Sequence, residues 1–171
     1  TLIVNEVIDE LARVHGVYDE VAEVTERAMN GELDFEESLH ERVACLAGCP
    51  ESVLDEVYDI IELTPGADDF VWALQKMGYR TAVISGGFIQ ITERVRADLN
   101  LDYAFANTLE IVDGELTGKV VGPIVSRERK RDLLESLCQG EGIALGQCIA
   151  IGDGANDLDM IHRAGLGIAF N

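Results

Sequence analysis

The spacing of apolar residues changes at about residue 63, and this change constrains the fold more than any other feature of the chain. In residues 4–62, apolar residues recur every three or four positions, as in NEVIDELARV and FEESLHERVACLAG, which is typical of amphipathic helices. After residue 63, short β-branched runs alternate with helical segments. Such alternation predicts an α/β fold with a parallel sheet flanked by helices and joined by right-handed crossovers. We therefore expect an α/β core formed by residues 1–4 and 63–171, with a helical cap inserted over residues 5–62.

The elements of the predicted core can be placed from local signals. Pro65 and Gly66 favour a helix start, and Asp113-Gly114 between two alternating segments favours a β-hairpin. The predicted helices cover about residues 66–76, 88–99, 127–139 and 156–163, and the strands of the parallel sheet are predicted at 81–84, QCIAIG and GIAF. In open sheets of this kind, ligands bind beyond the carboxyl ends of the strands. The loops at those ends are therefore the expected place for a site.

The chain is strongly acidic, with a formal net charge of −19 over 171 residues. Nucleic acid and anionic membrane surfaces bind basic faces, so we expect no nucleic-acid and no membrane partner. A small anionic substrate is not excluded, because one close cation contributes ~4 kcal/mol at an effective dielectric near 20, while surface charges beyond ~8 Å are screened. No apolar run approaches the ~18 to 20 residues of a membrane span. We expect a cytoplasmic location.

The segment ISGGF follows the strand predicted at 81–84. Ser85 supplies a hydroxyl, and Gly86 and Gly87 let the backbone approach a ligand. The helix predicted from Phe88 would present free N–H groups that favour an anion. The segment is therefore a candidate phosphate cradle, and an ordinary strand-to-helix turn is the alternative.

The segment IGDGANDLDM places three aspartates and one asparagine directly after the next predicted strand. Clustered carboxylates raise the cost of ionising one another, and a hard cation such as Mg²⁺ would offset that repulsion through oxygen ligands. The spacing fits neither an EF-hand loop nor a G-x-G-x-x-G turn. A solvated acidic helix start is the alternative for Asp153 and Asp157, and it is the preferred interpretation for Asp159.

The segment SRERKRDLL contains Lys130 and three arginines near a predicted helix start, and it is the only basic cluster in the sequence. Most charge runs are solvated faces. One of these four side chains could turn inward to meet a phosphate as a point charge.

Taken together, these three segments resemble the second, third and fourth motifs of the haloacid dehalogenase superfamily of phosphatases. Further segments are similar to the members of that superfamily that act on O-phospho-L-serine, and the similarity covers essentially the whole chain in order. These further segments are Asn5-Glu6, GELDFEESLHERV, LTPGA and ANTLEIVDGELTG. The resemblance implies a haloacid-dehalogenase-like, Rossmann-like core and hydrolysis of phosphoserine through an aspartyl-phosphate with Mg²⁺.

The resemblance also implies roles for individual core residues. Asp153 is expected to be a Mg²⁺ ligand, and Asp157 to order the metal shell or to hold Lys130. Lys130 is expected to offset charge on the transferring group. Ser85 and the Gly86 amide are expected to hold phosphoryl oxygens. Asn156 is expected to contact the phosphate or to align its surroundings.

In the cap, the resemblance implies that Glu6 pairs with the substrate ammonium and Arg42 with its carboxylate. Met29 and Phe35 are expected to line the pocket, with plain helix packing as the alternative. Free phosphoserine is a zwitterion with a phosphate, so it needs one anion, one cation and an apolar wall besides the metal.

One departure from the family pattern concerns its first motif, D-x-D-x-T, which is expected to end at about Thr1. The nucleophile and the acid/base aspartate are then expected upstream of Thr1, and residues 1–171 alone are expected to be inactive. Two alternatives stay open for the function: a phosphatase for another small phosphate ester, and a noncatalytic Mg²⁺- or phosphate-binding module. The oligomeric state is also open, with a homodimer as one alternative.

Overall fold

The computed structural model describes residues 1–170, and Asn171, the last residue of the predicted core, lies outside the described residues. The chain divides into two compact units. One contains Leu2–Ile124, and the other contains Thr1 and the chain from Val125 onward. The predicted boundaries between cap and core stay a prediction.

The first half of the larger unit is helical, as the apolar spacing predicts. Its four helices are α1 Val7–His15, α2 Tyr18–Met29, α3 Phe35–Ala44 and α4 Val53–Asp59. Asp34 caps α3 through a capping box, because its carboxylate accepts from Glu37 N at 2.8 Å and Glu37 Oε2 accepts from Asp34 N at 2.9 Å. Both ends of this helical segment are joined, since Val4 N donates to Glu62 O and Thr64 N to Leu2 O, each at 2.9 Å.

The second half of the larger unit contains α5 Ala67–Lys76, β1 Ala82–Phe88, α6 Ile89–Asp98, β2 Tyr103–Val112 and β3 Glu115–Val121. β2 pairs with β1 in parallel and with β3 antiparallel, so it belongs to both the α/β sheet and the hairpin. The hairpin turns at Asp113 (φ 52°) and Gly114 (φ 81°), as predicted. Both φ values are positive, which suits Asp-Gly in a two-residue turn.

One hydrophobic core connects the helical segment to the strands of this unit. Its fully buried members include Leu11, Val21, Val43, Leu46, Val57, Phe88, Ile91 and Leu116. The chain at the end of helix α3 approaches β3 closely, because a Cβ on Gly118 would lie 2.9 Å from the Ala47 Cβ. Gly48 N also donates to Leu116 O at 2.8 Å. The helical segment and the hairpin are therefore packed as one body.

The smaller unit contains α7 Arg127–Glu141, β4 Ile149–Gly152, α8 Leu158–Arg163 and β5 Leu166–Ala169. β4 and β5 pair in parallel with residues 149–152 opposite 166–169. Helix α7 is capped by Ser126, whose Oγ accepts from Arg129 N at 3.3 Å. The alternation of strand and helix in this unit confirms the prediction.

Several predicted boundaries were wrong. The strand predicted to end at residue 84 runs to Phe88, and α6 begins at Ile89 rather than at Phe88. The helix predicted over 156–163 starts with a 3₁₀ turn over 155–157, so α8 proper begins at Leu158. Helix α7 runs to Glu141, beyond its predicted end at residue 139. None of the helices in residues 1–170 is long and apolar enough to cross a membrane.

Candidate active site

The Ser85-Gly86-Gly87 segment forms the irregular end of β1 rather than the loop that was predicted. The pairing of β1 with β2 shifts register between Ile84 and Phe88. Gly87 N donates to Ser85 Oγ at 3.0 Å, and Asn107 Nδ2 donates to Gly86 O at 2.7 Å. The side chain of Asn107 thus replaces a regular ladder hydrogen bond here, which explains why extended backbone continues through the glycines.

Asn107 is the residue of this segment that the sequence analysis missed. It lies on β2 opposite Phe88 and is 1% exposed. Asparagine is depleted in strand interiors, so its position inside the apolar run FANTLEIV was a signal that could have been used. A buried amide of this kind is retained where its hydrogen bonds are made.

Lys130 and Asp157 form a buried ion pair in the smaller unit. Lys130 Nζ lies 2.7 Å from Asp157 Oδ1, and the two side chains are 6% and 8% exposed. Of the four basic residues at the start of α7, Lys130 is the buried one, because it shares a helix face with Leu133 and Leu134. The inward-turning cation that the sequence predicted is therefore Lys130.

Asp157 also organises the loop after β4. Its Oδ2 accepts from Asp153 N at 3.2 Å and from Gly154 N at 3.1 Å. A Cβ on Gly152 would lie 2.4 Å from the Asp157 Cβ, and a Cβ on Gly154 would lie 2.3 Å from Asn156 Oδ1. Gly152 is required because its close neighbour is the Asp157 Cβ, whereas the neighbour of Gly154 is the end of the Asn156 side chain, which can move.

Asp153 and Asp159 have different surroundings. Thr1 N lies 2.7 Å from Asp153 Oδ2. The Asp153 side chain is 47% exposed. Asp159 instead accepts from Arg127 Nε at 2.7 Å, and this hydrogen bond lowers the pKa of Asp159. Asp159 is thus paired with Arg127 at the helix surface. The sequence favoured a solvated acidic helix start for this residue.

The acidic loop by itself forms no multi-carboxylate metal centre. Within residues 1–170, no group of three or more His, Cys, Asp and Glu side chains is arranged to hold a metal. Both Asp157 oxygens are occupied by Lys130 and by the loop amides. Asp153 is the remaining half-exposed carboxylate of this loop.

The cap residues named by the sequence lie on or next to α1, α2 and α3 of the larger unit. Arg42 Nε donates to Ser38 O at 3.2 Å. Burial lowers the pKa of Arg42, and the negative charges of Asp9 and Glu6 oppose that shift. Asp9, one helical turn after Glu6, thus places a second negative charge near Arg42.

Met29 and Phe35 do not contribute to the core of the helical segment. Met29 is 83% exposed at the end of α2, and Phe35 is 37% exposed at the start of α3. The expected role of Met29 and Phe35 as pocket lining, with plain helix packing as the alternative, stays a prediction.

Alternating strands and helices, with a polar residue set following the strands, define an α/β protein of the kind that binds its ligand at strand ends. Residues 1–165 match the haloacid dehalogenase-like hydrolases. The chain belongs to this family, which confirms the resemblance seen in its motifs.

Several relatives are similar to the chain over its full length. It is 56% identical over 171 residues to the phosphoserine phosphatase of Streptomyces coelicolor and covers 42% of that protein. It is 49% identical over 170 residues to the phosphoserine phosphatase of Streptococcus thermophilus and covers 79% of it. Against the Streptomyces coelicolor and Archaeoglobus fulgidus proteins, the chain spans about half of the relative's length or less.

Solved structures support the same fold. A substrate-bound phosphoserine phosphatase complex is 45% identical, with a TM-score of 0.92 over 99% of this chain and 81% of that one. The phospho-aspartyl intermediate analogue of a phosphoserine phosphatase gives the same values. The predicted α/β fold class is thereby confirmed.

Proposed function

We propose that this protein is a phosphatase that hydrolyses O-phospho-L-serine to L-serine and phosphate through an aspartyl-phosphate, with Mg²⁺ as cofactor. The observation that carries the proposal is the buried Lys130–Asp157 pair, because a fixed cation can offset charge that develops on a transferring phosphoryl group. Support for the substrate comes from relatives named phosphoserine phosphatase that are 45% to 56% identical over 170 or 171 residues.

The phosphoryl group is assigned to three donors and one aligning residue. The Ser85 hydroxyl accepts from Gly87 N, which leaves its own O–H to donate to a phosphoryl oxygen. The Gly86 N–H donates to a second oxygen, and Lys130 supplies positive charge. Asn156, half-buried beside Gly154, contacts the phosphate or aligns its surroundings.

The metal is assigned to Asp153. Mg²⁺ is held in such sites by one or two carboxylates together with substrate phosphate and water, and a single half-exposed carboxylate fits that pattern. When bound, Mg²⁺ supplies charge neutralisation of the phosphoryl group. Asp157 is assigned to Lys130 rather than to the metal, because its oxygens are already engaged.

The amino-acid end of the substrate is assigned to the cap. Arg42 pairs with the substrate carboxylate, Glu6 pairs with the ammonium, and Met29 and Phe35 form the apolar wall. A desolvated guanidinium is suited to this role, since its planar fork matches a carboxylate. These four assignments stay predictions.

The nucleophile and the acid/base aspartate are assigned by the resemblance to a D-x-D-x-T motif upstream of Thr1, and this also stays a prediction. The inactivity of residues 1–171 alone, the homodimer and the cytoplasmic location are likewise predictions. The experiments below require the full-length protein, because it is expected to contain both aspartates.

Phosphate release from O-phospho-L-serine tests the reaction and the metal assignment. We expect Mg²⁺-dependent release that chelation abolishes, and a loss of about a hundredfold or more in kcat/KM for Asp153→Asn. Asp159→Asn is the matched control, because Asp159 pairs with Arg127 at the surface, and it is expected to keep full activity. Undiminished release by Asp153→Asn would rule out the metal assignment. Phosphate binding without any turnover by the wild-type protein would favour the noncatalytic module.

The substrate is tested by two cap variants. We expect Arg42→Ala and Glu6→Gln to raise KM for phosphoserine by about tenfold to a hundredfold, the range for losing a charged hydrogen bond. Both should leave hydrolysis of a phosphate ester without an amino-acid group unchanged. Arg27→Ala is the control, since Arg27 pairs with Glu41 on the surface of the same helical segment. Unaltered KM in both variants would favour another small phosphate ester as substrate.

A further inference from the structure

The Gly86–Gly87 peptide is held on both of its sides. Asn107 Nδ2 donates to the carbonyl of Gly86 at 2.7 Å, and the N–H of Gly87 donates to Ser85 Oγ at 3.0 Å. In a trans peptide, the carbonyl and the following N–H point in opposite directions. A side chain that fixes the Gly86 carbonyl therefore also fixes the direction of the Gly87 N–H, and through it the Ser85 hydroxyl.

We infer that Asn107 is a positioning residue for phosphoryl binding, acting through the Gly86–Gly87 peptide on Ser85. This inference rests on the proposed function, in which Ser85 and Gly86 hold phosphoryl oxygens. Asn107 itself contacts no substrate in this assignment. Its side chain determines which way a two-glycine segment faces.

The need for such a residue follows from the glycines. Gly86 and Gly87 have no side chains to hold the backbone, and glycine populates more backbone conformations than any other residue. The ladder between β1 and β2 is irregular at this point, so regular strand pairing does not hold the peptide either. The buried side-chain amide of Asn107, 21 residues away in sequence, holds the peptide in place of packed side chains and of regular strand pairing.

The space around Gly87 supports the same conclusion. A Cβ on Gly87 would lie 3.2 Å from Ser85 Oγ, so the hydroxyl is packed directly against this peptide. A rotation of the peptide would remove the donor from Ser85 and leave its hydroxyl without a defined direction. The hydroxyl would then no longer be preorganised for an anion.

A matched control is available beside the same strand. Gln90 on α6 makes a similar bond, since its Nε2 donates to Leu109 O of β2 at 2.8 Å. Its Oε1 accepts from Leu109 N at 3.4 Å, so both ends of this amide are engaged by Leu109. Gln90→Ala therefore removes an equivalent side-chain tie to β2 without altering the hydrogen bonds of the glycine peptide.

A double-mutant cycle in the full-length protein tests the inference. In the wild-type background, Asn107→Ala is expected to raise the inhibition constant of inorganic phosphate by about tenfold, the value of one hydrogen bond. In a Ser85→Ala background, the same substitution is expected to change it less than about twofold, because the two residues act through one contact. Gln90→Ala is expected to leave the inhibition constant unchanged while lowering the unfolding midpoint. Equal effects of Asn107→Ala in both backgrounds would overturn the inference.

A second measurement keeps the inference testable if Asn107→Ala is too unstable. Asn107→Asp keeps the size of the side chain but removes the donor to Gly86 O, and it is expected to increase hydrogen exchange of the Gly87 amide. Unchanged exchange at Gly87 in this variant would also overturn the inference. Failure of the proposed function is recognised separately, because Ser85→Ala alone would then alter neither phosphate inhibition nor phosphate release.

Discussion

Lys130 Nζ and Asp157 Oδ1 lie 2.7 Å apart, while the second oxygen of the same carboxylate accepts two backbone N–H groups of the loop after β4. One buried side chain therefore sets both the position of the cation and the shape of the loop that carries Asp153. The position of the Lys130 ammonium and the conformation of the loop after β4 are therefore coupled, because neither can change without breaking hydrogen bonds to Asp157.

Removing the carboxylate of Asp157 should strongly destabilise the protein. We expect Asp157→Ala to lower the free energy of unfolding by about 3–5 kcal/mol, because it leaves the Lys130 ammonium buried without a partner. The double variant Lys130→Met with Asp157→Leu should recover much of that loss, since no buried charge remains. Urea unfolding measures both. A loss below about 1 kcal/mol in Asp157→Ala would contradict the buried-pair account.

Gly152 should not tolerate a side chain. A Cβ there would lie 2.4 Å from the Asp157 Cβ, so Gly152→Ala is expected to displace Asp157, to lower stability by about 1–3 kcal/mol and to reduce activity. Gly140→Ala is the control, because a Cβ on Gly140 of α7 would meet open space within 4 Å. It should stabilise the protein by about 0.5–1 kcal/mol. Thermal unfolding and phosphate release distinguish the two glycines.

Tyr58 should make stability depend on pH in the alkaline range. Burial, together with the hydrogen bond to Asp98 and its negative charge, raises the pKa of Tyr58 from 10.0 to about 12. The folded-state pKa of Tyr58 is higher than its unfolded-state pKa. The stabilisation that the protonated Tyr58 hydroxyl contributes is therefore fully present below pH 10 and is lost as the pH rises through about 12. The stability difference between wild type and Tyr58→Phe should therefore shrink across this interval, as measured by urea unfolding.

The capping box at the N-terminus of α3 should stabilise the helical segment that contains this helix. Asp34→Ala removes the acceptor for Glu37 N and is expected to cost about 1 kcal/mol of unfolding free energy. It should also raise KM for the proposed substrate, phosphoserine, because α3 begins at Phe35 and carries Arg42, to which the substrate carboxylate is assigned. Glu36→Ala, an exposed residue in the same turn, should change both quantities less. Equal effects of the two substitutions would argue against a specific role of the Asp34 hydrogen bond.

Features with local physical causes were predictable from the sequence. The hairpin turn at Asp113-Gly114 follows from the positive φ that both residues adopt. The four helices between Val7 and Asp59 follow from apolar residues recurring at helical spacing, because that pattern gives each helix one face to bury. The residue types of Ser85-Gly86-Gly87 and of the acidic loop after β4 marked both segments as candidates, and their roles stay predictions.

The pairings within the site were decided only by tertiary structure. Lys130 meets Asp157 across 27 residues of sequence, a pairing that only the family resemblance implied as one alternative, and Asn107 meets Gly86 across 21, which no motif implied. Local periodicity carries no information about such distances. For the same reason the end of β1 was wrongly predicted: extended backbone continues through Ser85-Gly86-Gly87 because a side chain from the neighbouring strand holds it. Local propensity thus determined which elements form, and burial of polar groups against distant partners determined where they end and which side chains meet.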